Sequence, residues 1–212
     1  LVSIPFQEKP VVCQRLAAHS GVKEMMEHNL NLLSGANVPG TVMDEEGKML
    51  LHATPDKTGT VKVTPMASYE TVPPKFFHFM NVELVRGTFP QKENEAVADM
   101  TFAENFGEDI MGKTFYLEKH MTGYKVTGIV RHVSSRNYTY NISPLTAYLY
   151  IVDEHQHISP QRVYLKCYPE QVEAVREHVI KELRKVFPEN VEPEISTLMK
   201  DIEEARQIDA ET

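Results

Sequence analysis

The spacing of apolar residues predicts helices near both ends of the chain. Residues 10–19 carry apolar residues at helical spacing and are followed by Gly21, which is typical of a short helix that ends at a glycine. A helix is predicted between Pro169 and Pro188, with Glu170 and Glu173 near its start and Arg184 and Lys185 near its end, as the helix dipole favours. Its apolar residues fall on one stripe: Val172, Val175, Val179, Leu183 and Val186. A further amphipathic helix is predicted over 198–208.

Strand patterns occupy most of the remaining chain. Residues 22–30 fit a strand or a helix, and the strand is favoured because the segment follows the glycine that ends a helix. Residues 41–43 and 48–53 are predicted as a hairpin closed by an acidic turn. Residues 60–69 alternate in polarity, and Pro65 within them indicates an edge or a bulge. A short helix is predicted after Pro73-Pro74, because prolines suit a first helical turn. Further strands are predicted at 95–100, 124–130, 144–152, 162–167 and 191–195.

Four glycines mark positions with special backbone requirements. Gly87, Gly107 and Gly112 fall where the chain turns between elements, so we expect each to take a positive φ angle. Gly128 lies inside a strand, which indicates a bulge or the close approach of another backbone segment.

The order of the elements predicts one unit made from both chain ends. A helix-strand pattern at 10–30 and a strand-helix-strand pattern at 162–195 bracket the strand-rich middle. Crossover connections place successive strands in parallel, so the two flanks can share one sheet. The middle of the chain is then an insertion.

Composition excludes some classes of function. The chain has 212 residues, 42% of them hydrophobic, which is enough for one large or two small cores. A net charge of -8 argues against a nucleic-acid partner. The longest apolar runs are too short to span a bilayer. Since the chain starts at Leu1 without a leader pattern, we expect it to be a piece of a longer protein.

Residues 84–151 carry an ordered set of motifs. They run Arg86-Gly87-Thr88-Phe89, an apolar strand at 95–100, a helix with Phe102, Ala103 and Phe106, then Gly107, Met111-Gly112-Lys113, Tyr124-Lys125-Val126-Thr127-Gly128-Ile129-Val130 and a strand led by Pro144. This succession resembles the MacB-like periplasmic core domain of FtsX-type ABC transporter permeases. The resemblance covers nearly the whole chain and is weakest at 31–60.

The resemblance implies an α+β fold with two subdomains. A βαβ-containing "porter" unit is expected from residues 1–70 and 160–212. A strand-rich "sabre" unit is expected as an insertion at 71–159.

The resemblance also implies a mechanical function without catalytic, cofactor-binding or metal-binding residues. The parent is then a permease of the bacterial inner membrane, and this domain lies on its extracytoplasmic (periplasmic) face. The implied partners are a cytoplasmic ABC ATPase, a second permease copy and an extracytoplasmic adaptor or a peptide or lipoprotein substrate. The domain would transmit ATP-driven motion outward. The alternative is a free-standing extracytoplasmic module that binds a peptide or lipid.

Candidate chemistry is sparse. His155 and His157 could face one metal if they lie on a strand, but they supply only two of the usual three or four ligands, so a polar loop after the strand that ends at Val152 is favoured. No nucleophile-base pair is evident, which disfavours a hydrolase. No phosphate-binding loop is present. Cys13 and Cys167 are either two apolar thiols or a disulfide, and their spacing does not decide between these.

Overall fold

The computed structural model describes residues 2–3, 9–28, 40–55, 57–65, 67–106, 109–117, 122–131, 147–152, 162–187 and 195–197. It is a mixed α+β chain, as predicted, and it divides into two compact units. The first unit contains residues 1–33 and 155–212, and the second contains residues 34–154.

Sixteen helices and strands follow one another in the described part of the chain. They are β1 (Val2–Ser3), α1 (Lys9–Ala17), β2 (Val22–His28), β3 (Gly40–Met43), β4 (Leu51–Pro55), β5 (Val61–Pro65), β6 (Ala67–Val72), α2 (Phe76–Phe79), β7 (Leu84–Gly87), β8 (Glu95–Asp99), α3 (Met100–Phe106), β9 (Thr114–Leu117), β10 (Gly123–Val130), β11 (Ala147–Val152), β12 (Arg162–Cys167) and α4 (Val172–Leu183). A single 3-10 turn, Pro169–Gln171, leads into α4.

The first unit is built on a three-stranded sheet in the order β1-β12-β2. β12 is antiparallel to both neighbours, so β1 and β2 run parallel to each other and α1 connects them. The prediction that both flanks share one sheet is confirmed. The predicted β-α-β unit is confirmed for the first flank, where β1, α1 and β2 form one with parallel strands. β12 lies between these two strands and is antiparallel to both, because the chain returns from the insertion at Arg162, directly opposite His28.

The two long helices of the first unit pack on one face of this sheet. Val163 of β12 is fully buried among residues of both helices, and Met25 and Leu165 pack against the same cluster. The predicted apolar stripe of α4 supplies Val175, Val179 and Leu183 to it, and α1 supplies Val12, Cys13 and Leu16. The helical periodicity read from the sequence therefore identified the buried faces correctly.

The second unit contains a sheet that closes on itself. β10 pairs with β8 along residues 125–130, and its other edge pairs first with β9 at residues 123–125 and then with β7 at residues 128–130. Since β9 also pairs with β3, the series β10-β8-β11-β6-β3-β9 returns to β10. These six strands have no unpaired edge at the closure, and β7 branches off beside it.

Helix α3 fills the inside of this closed sheet. Phe102 is fully buried there, and the centroid of its ring lies 4.6 Å from that of Phe106 and 4.9 Å from that of Phe115. The strand residues that face the helix include small ones: Ala67, Ala96 and Ala98. Small side chains on the strands leave the volume that a helix with two phenylalanines needs.

A second aromatic cluster lies on the other face of the central strands. Phe76 and Phe77 of α2 both contact the ring of Tyr150, with centroids 6.0 and 6.2 Å apart. Leu149 and Ile151 flank Tyr150 on β11 and point to the opposite face, where they belong to the interior cluster. The central strands are thus buried on both faces, which explains their nearly continuous apolar sequence.

The predicted domain boundary and the predicted pattern at 41–70 need correction. Residues 34–70 belong to the second unit, because β3 and β6 hydrogen-bond into its closed sheet. The predicted hairpin is confirmed at its acidic turn, Asp44–Gly47, where Met43 pairs with Met49 in antiparallel fashion. From Leu51 onwards the chain pairs differently, because β4 and β5 form a separate two-stranded sheet. Pro65 is the last residue of β5, and the predicted edge position is confirmed because β5 lies in a two-stranded sheet. The predicted helix at 198–208 and residues 191–194 lie outside the described residues.

Candidate functional site

Two of the glycine-containing motifs of residues 84–130, those of Gly87 and Gly128, meet at one place. Gly87 of β7 lies opposite Gly128 of β10. Gly87 has a φ of +80°, and a Cβ atom added to it would lie 2.2 Å from the carbonyl oxygen of Thr127. A Cβ atom on Gly128 would lie 2.5 Å from the carbonyl oxygen of Thr88. Two backbones therefore approach each other more closely here than any residue with a side chain permits.

Thr127 is an extra residue of β10 at this close approach of the two strands. The pairing of β10 with β8 shifts register between Val126 and Gly128, so Thr127 forms the bulge that Gly128 predicted. Its hydroxyl donates to the carbonyl oxygen of Thr88 at 3.2 Å and lies 3.3 Å from that of Ala96. The Thr88 amide donates to the Thr127 carbonyl oxygen at 2.9 Å. One side chain thus connects β7, β10 and β8.

Phe89, the last residue of the Arg-Gly-x-Phe motif, packs against the aromatic cluster of Phe76, Phe77 and Tyr150. Its ring stacks on Phe77 with centroids 4.9 Å apart, and Phe77 contacts Tyr150 edge-on. We call the set Gly87, Thr88, Phe89, Thr127 and Gly128 the strand junction. It holds backbone segments and apolar rings together by hydrogen bonds and ring contacts.

The turn prediction at Gly112 is confirmed, but its surroundings differ from those of Gly87. Gly112 has a φ of +81°, as predicted, and its amide donates to the Val126 carbonyl oxygen at 2.8 Å. In contrast to Gly87, the nearest atom to a Cβ on Gly112 would be Cε of Lys125 at 3.9 Å. Gly107 lies outside the described residues.

Of the predicted chemical candidates, the structure describes Cys13 and Cys167, which pack in the same apolar cluster of the first unit. His155 and His157 lie outside the described residues, and in the part of the chain that the structure describes no three His, Cys, Asp or Glu residues are grouped to hold a metal ion. Cys13 and Cys167 are both free thiols. Burial raises the pKa of Cys13 to about 11, with a further contribution from Glu27, and burial also raises the pKa of Cys167.

Sequence reasoning missed a buried carboxylate between α1 and α4. Glu182 is 6% exposed and forms ion pairs with Lys185 and, at 3.6 Å, with Arg15. The hydrogen bond from Lys185 lowers the pKa of Glu182. His178 Nε2 lies 3.1 Å from the Arg15 carbonyl oxygen, which can only accept, so the imidazole donates. The available signal was the position of Glu182 on the apolar stripe, three residues after Val179.

The described helices contain no segment that is both long and apolar enough to cross a membrane. No family model and no curated protein matches the chain.

Solved structures do match. The chain is similar to the periplasmic region of MacB from Actinobacillus actinomycetemcomitans, at 13% identity and TM-score 0.48, over 87% of this chain and 80% of that one. It is similar to the extracellular domain of the noncanonic ABC-type transporter YknZ from Gram-positive bacteria, at 11% identity and TM-score 0.47, over 87% and 91%. A domain of a protein described as a permease, from Porphyromonas gingivalis, matches at 14% identity and TM-score 0.49, over 87% and 78%.

The resemblance read from the sequence and these structural neighbours name the same class of domain. Identities of 11 to 14% and TM-scores below 0.5 leave the function to be argued from this chain's own residues.

Proposed function

We propose that this chain is the extracytoplasmic domain of a bacterial ABC transporter permease, and that it transmits ATP-driven motion to a substrate or partner outside the membrane. The observation that carries the proposal is the discontinuous first unit. Sequences from both sides of the insertion form one sheet, with β12 hydrogen-bonded between β1 and β2. Motion applied to either flank of the chain would therefore reach the same sheet.

The second unit is packed tightly enough to move as a rigid body. Its six-stranded sheet closes on itself, is packed from inside by α3 and carries aromatic rings on its other face. The strand junction ties β7 into it by backbone contact. Packed cores resist compression and move as bodies. A displaced unit of this kind transmits the displacement instead of absorbing it.

The implied partners follow from this role. A cytoplasmic ATPase supplies the motion through the membrane helices of the parent permease, and a second permease copy completes the assembly. An extracytoplasmic adaptor, peptide or lipoprotein receives the motion. The domain itself has no catalytic part in the cycle and lies on the outer face of the inner membrane.

Deletion of the inserted unit tests the proposal. Because His28 lies directly opposite Arg162 in adjacent antiparallel strands, residues 29–161 can be replaced by an Asn-Gly turn to give a hairpin of β2 and β12. In the parent reconstituted with its ATPase, we expect the deletion variant to assemble and hydrolyse ATP while transport falls to background.

A matched control keeps the insertion and changes an exposed position, Val61→Thr, in the second unit. This variant should transport at the normal rate. Full transport by the deletion variant would contradict the proposal. A gene that encodes only a signal peptide before this domain and a stop codon after it would also contradict the proposal. That result would favour the free-standing binding module.

A further inference from the structure

An exposed tyrosine lies at one end of the sheet in the first unit. Tyr168 directly follows β12, and its side chain is 42% exposed. The ammonium of Lys23, at the start of β2, lies 4.3 Å from the ring centroid. The Tyr168 amide donates to the Gly21 carbonyl oxygen at 3.0 Å, so backbone contacts hold both side chains at this end. We call Tyr168 and Lys23 the exposed pair.

The direction of β1 relates the exposed pair to the proposed attachment. β1 is antiparallel to β12, with Ser3 opposite Arg162, so the N-terminal side of β1 points towards Cys167 and the exposed pair. If the chain hangs from a membrane segment before Val2, as the proposed function requires, that segment approaches from this end. The insertion departs from the other end, at His28.

We propose that the exposed pair rests on the phospholipid headgroups of the membrane. This inference depends on the proposed function. Tyrosine suits a membrane interface because its ring is apolar and its hydroxyl is polar, and a lysine ammonium beside it can reach a lipid phosphate. The cation held over the ring presents both groups to the same surface.

Charge alone would not bring this end to a membrane. Glu24 lies opposite Lys166 in the sheet, and the exposed Glu170 follows Tyr168, so acidic residues offset the nearby lysines. The whole chain carries a net charge of -8. The contact therefore depends on attachment, which raises the effective concentration of the surface around the domain.

Tryptophan fluorescence can test the contact, because the chain has no tryptophan. Tyr168→Trp places a reporter in the exposed pair. Val11→Trp is the matched control, since Val11 is 46% exposed and lies near the start of α1, where Lys9 pairs with Glu27. Glu27 is four residues from Lys23 along β2, roughly 13 Å at the rise of a strand.

Each variant is attached to vesicles of phosphatidylglycerol, phosphatidylethanolamine and a nickel-chelating lipid, through a histidine tag on a long Gly-Ser linker. Part of the lipid is brominated near the headgroup. We expect at least a two-fold loss of fluorescence from Tyr168→Trp and little loss from Val11→Trp, with the tag at either end of the chain. Adding Lys23→Glu should reduce the loss at position 168.

Equal quenching of the two reporters, or quenching of neither, would overturn the lipid contact. A loss of fluorescence that survives Lys23→Glu unchanged would remove Lys23 from it. These results leave the proposed transport function standing, because that function is tested separately by the deletion of residues 29–161.

Discussion

Substitution of Gly87 by alanine should damage the strand junction far more than the same change at other positive-φ glycines. Gly87 and Gly112 have nearly the same φ, +80° and +81°. A Cβ atom on Gly87 would lie 2.2 Å from the backbone oxygen of Thr127, whereas the atom nearest to a Cβ on Gly112 is the end of the Lys125 side chain, 3.9 Å away. The pair therefore separates the cost of backbone strain from the cost of steric overlap.

The expected magnitudes follow from these contacts. A non-glycine residue at positive φ costs about 1–2 kcal/mol, and this should be the whole effect of Gly112→Ala. Gly87→Ala must also push β7 away from β10. That movement loses the two hydrogen bonds between Thr88 and Thr127, each worth about 1 kcal/mol, and loosens the contact of Phe89 with Phe77. We expect a total of about 3–5 kcal/mol for Gly87→Ala.

Guanidinium unfolding of the two variants measures the difference, and hydrogen exchange locates it. Gly47→Ala is a further control, since Gly47 has a φ of +74° and no atom within 4 Å of the added Cβ. Exchange should increase in β7 and β10, while β2 and β12 of the first unit keep their protection. If Gly87→Ala is no less stable than Gly112→Ala, the close approach of the two backbones does not hold the junction together.

Three further predictions concern binding and titration. Calorimetry with ATP and magnesium should show no heat above dilution, because no phosphate-binding loop is present in the sequence; micromolar binding would contradict this. Because the pKa of Cys13 is raised to about 11, the folded state loses stability as the pH rises from about 9 to 11, and Cys13→Ala should flatten that slope in chemical unfolding. Because the pKa of Glu182 is lowered, its contribution is present above its unfolded pKa and is lost as the pH falls below about 4.5; unfolding of Glu182→Gln should lack that loss, and an unchanged acid slope would exclude Glu182 as its source.

The lipid contact and the strand junction lie in different units and can fail independently. The first is a statement about which end of the β1-β12-β2 sheet meets the membrane. The second is a statement about the internal rigidity of the closed sheet. A transporter that loses transport in Gly87→Ala but keeps the quenching of Tyr168→Trp would show that attachment and transmission are separable properties of the chain.

Local patterns in the sequence determined the elements with good accuracy. β12 was predicted at 162–167 and is found at Arg162–Cys167, because its alternating residues face the helices of the first unit on one side only. Gly87 and Gly112 were predicted as positive-φ positions, and Gly128 as a bulge or a close backbone approach, both of which are found there. The signals that predicted these features lie within a few positions of one another, which is the range over which periodicity and turn chemistry act.

Tertiary structure alone decided how the strands are paired. Alternation tells which face of a strand is buried, but any strand with an apolar face could neighbour any other. The local sequence therefore does not show that β12 lies between β1 and β2. It also does not show that one edge of β10 pairs with both β7 and β9. The same reason explains the misplaced boundary at residue 70, and the separation of Phe77 and Phe102 into clusters on opposite faces of the sheet.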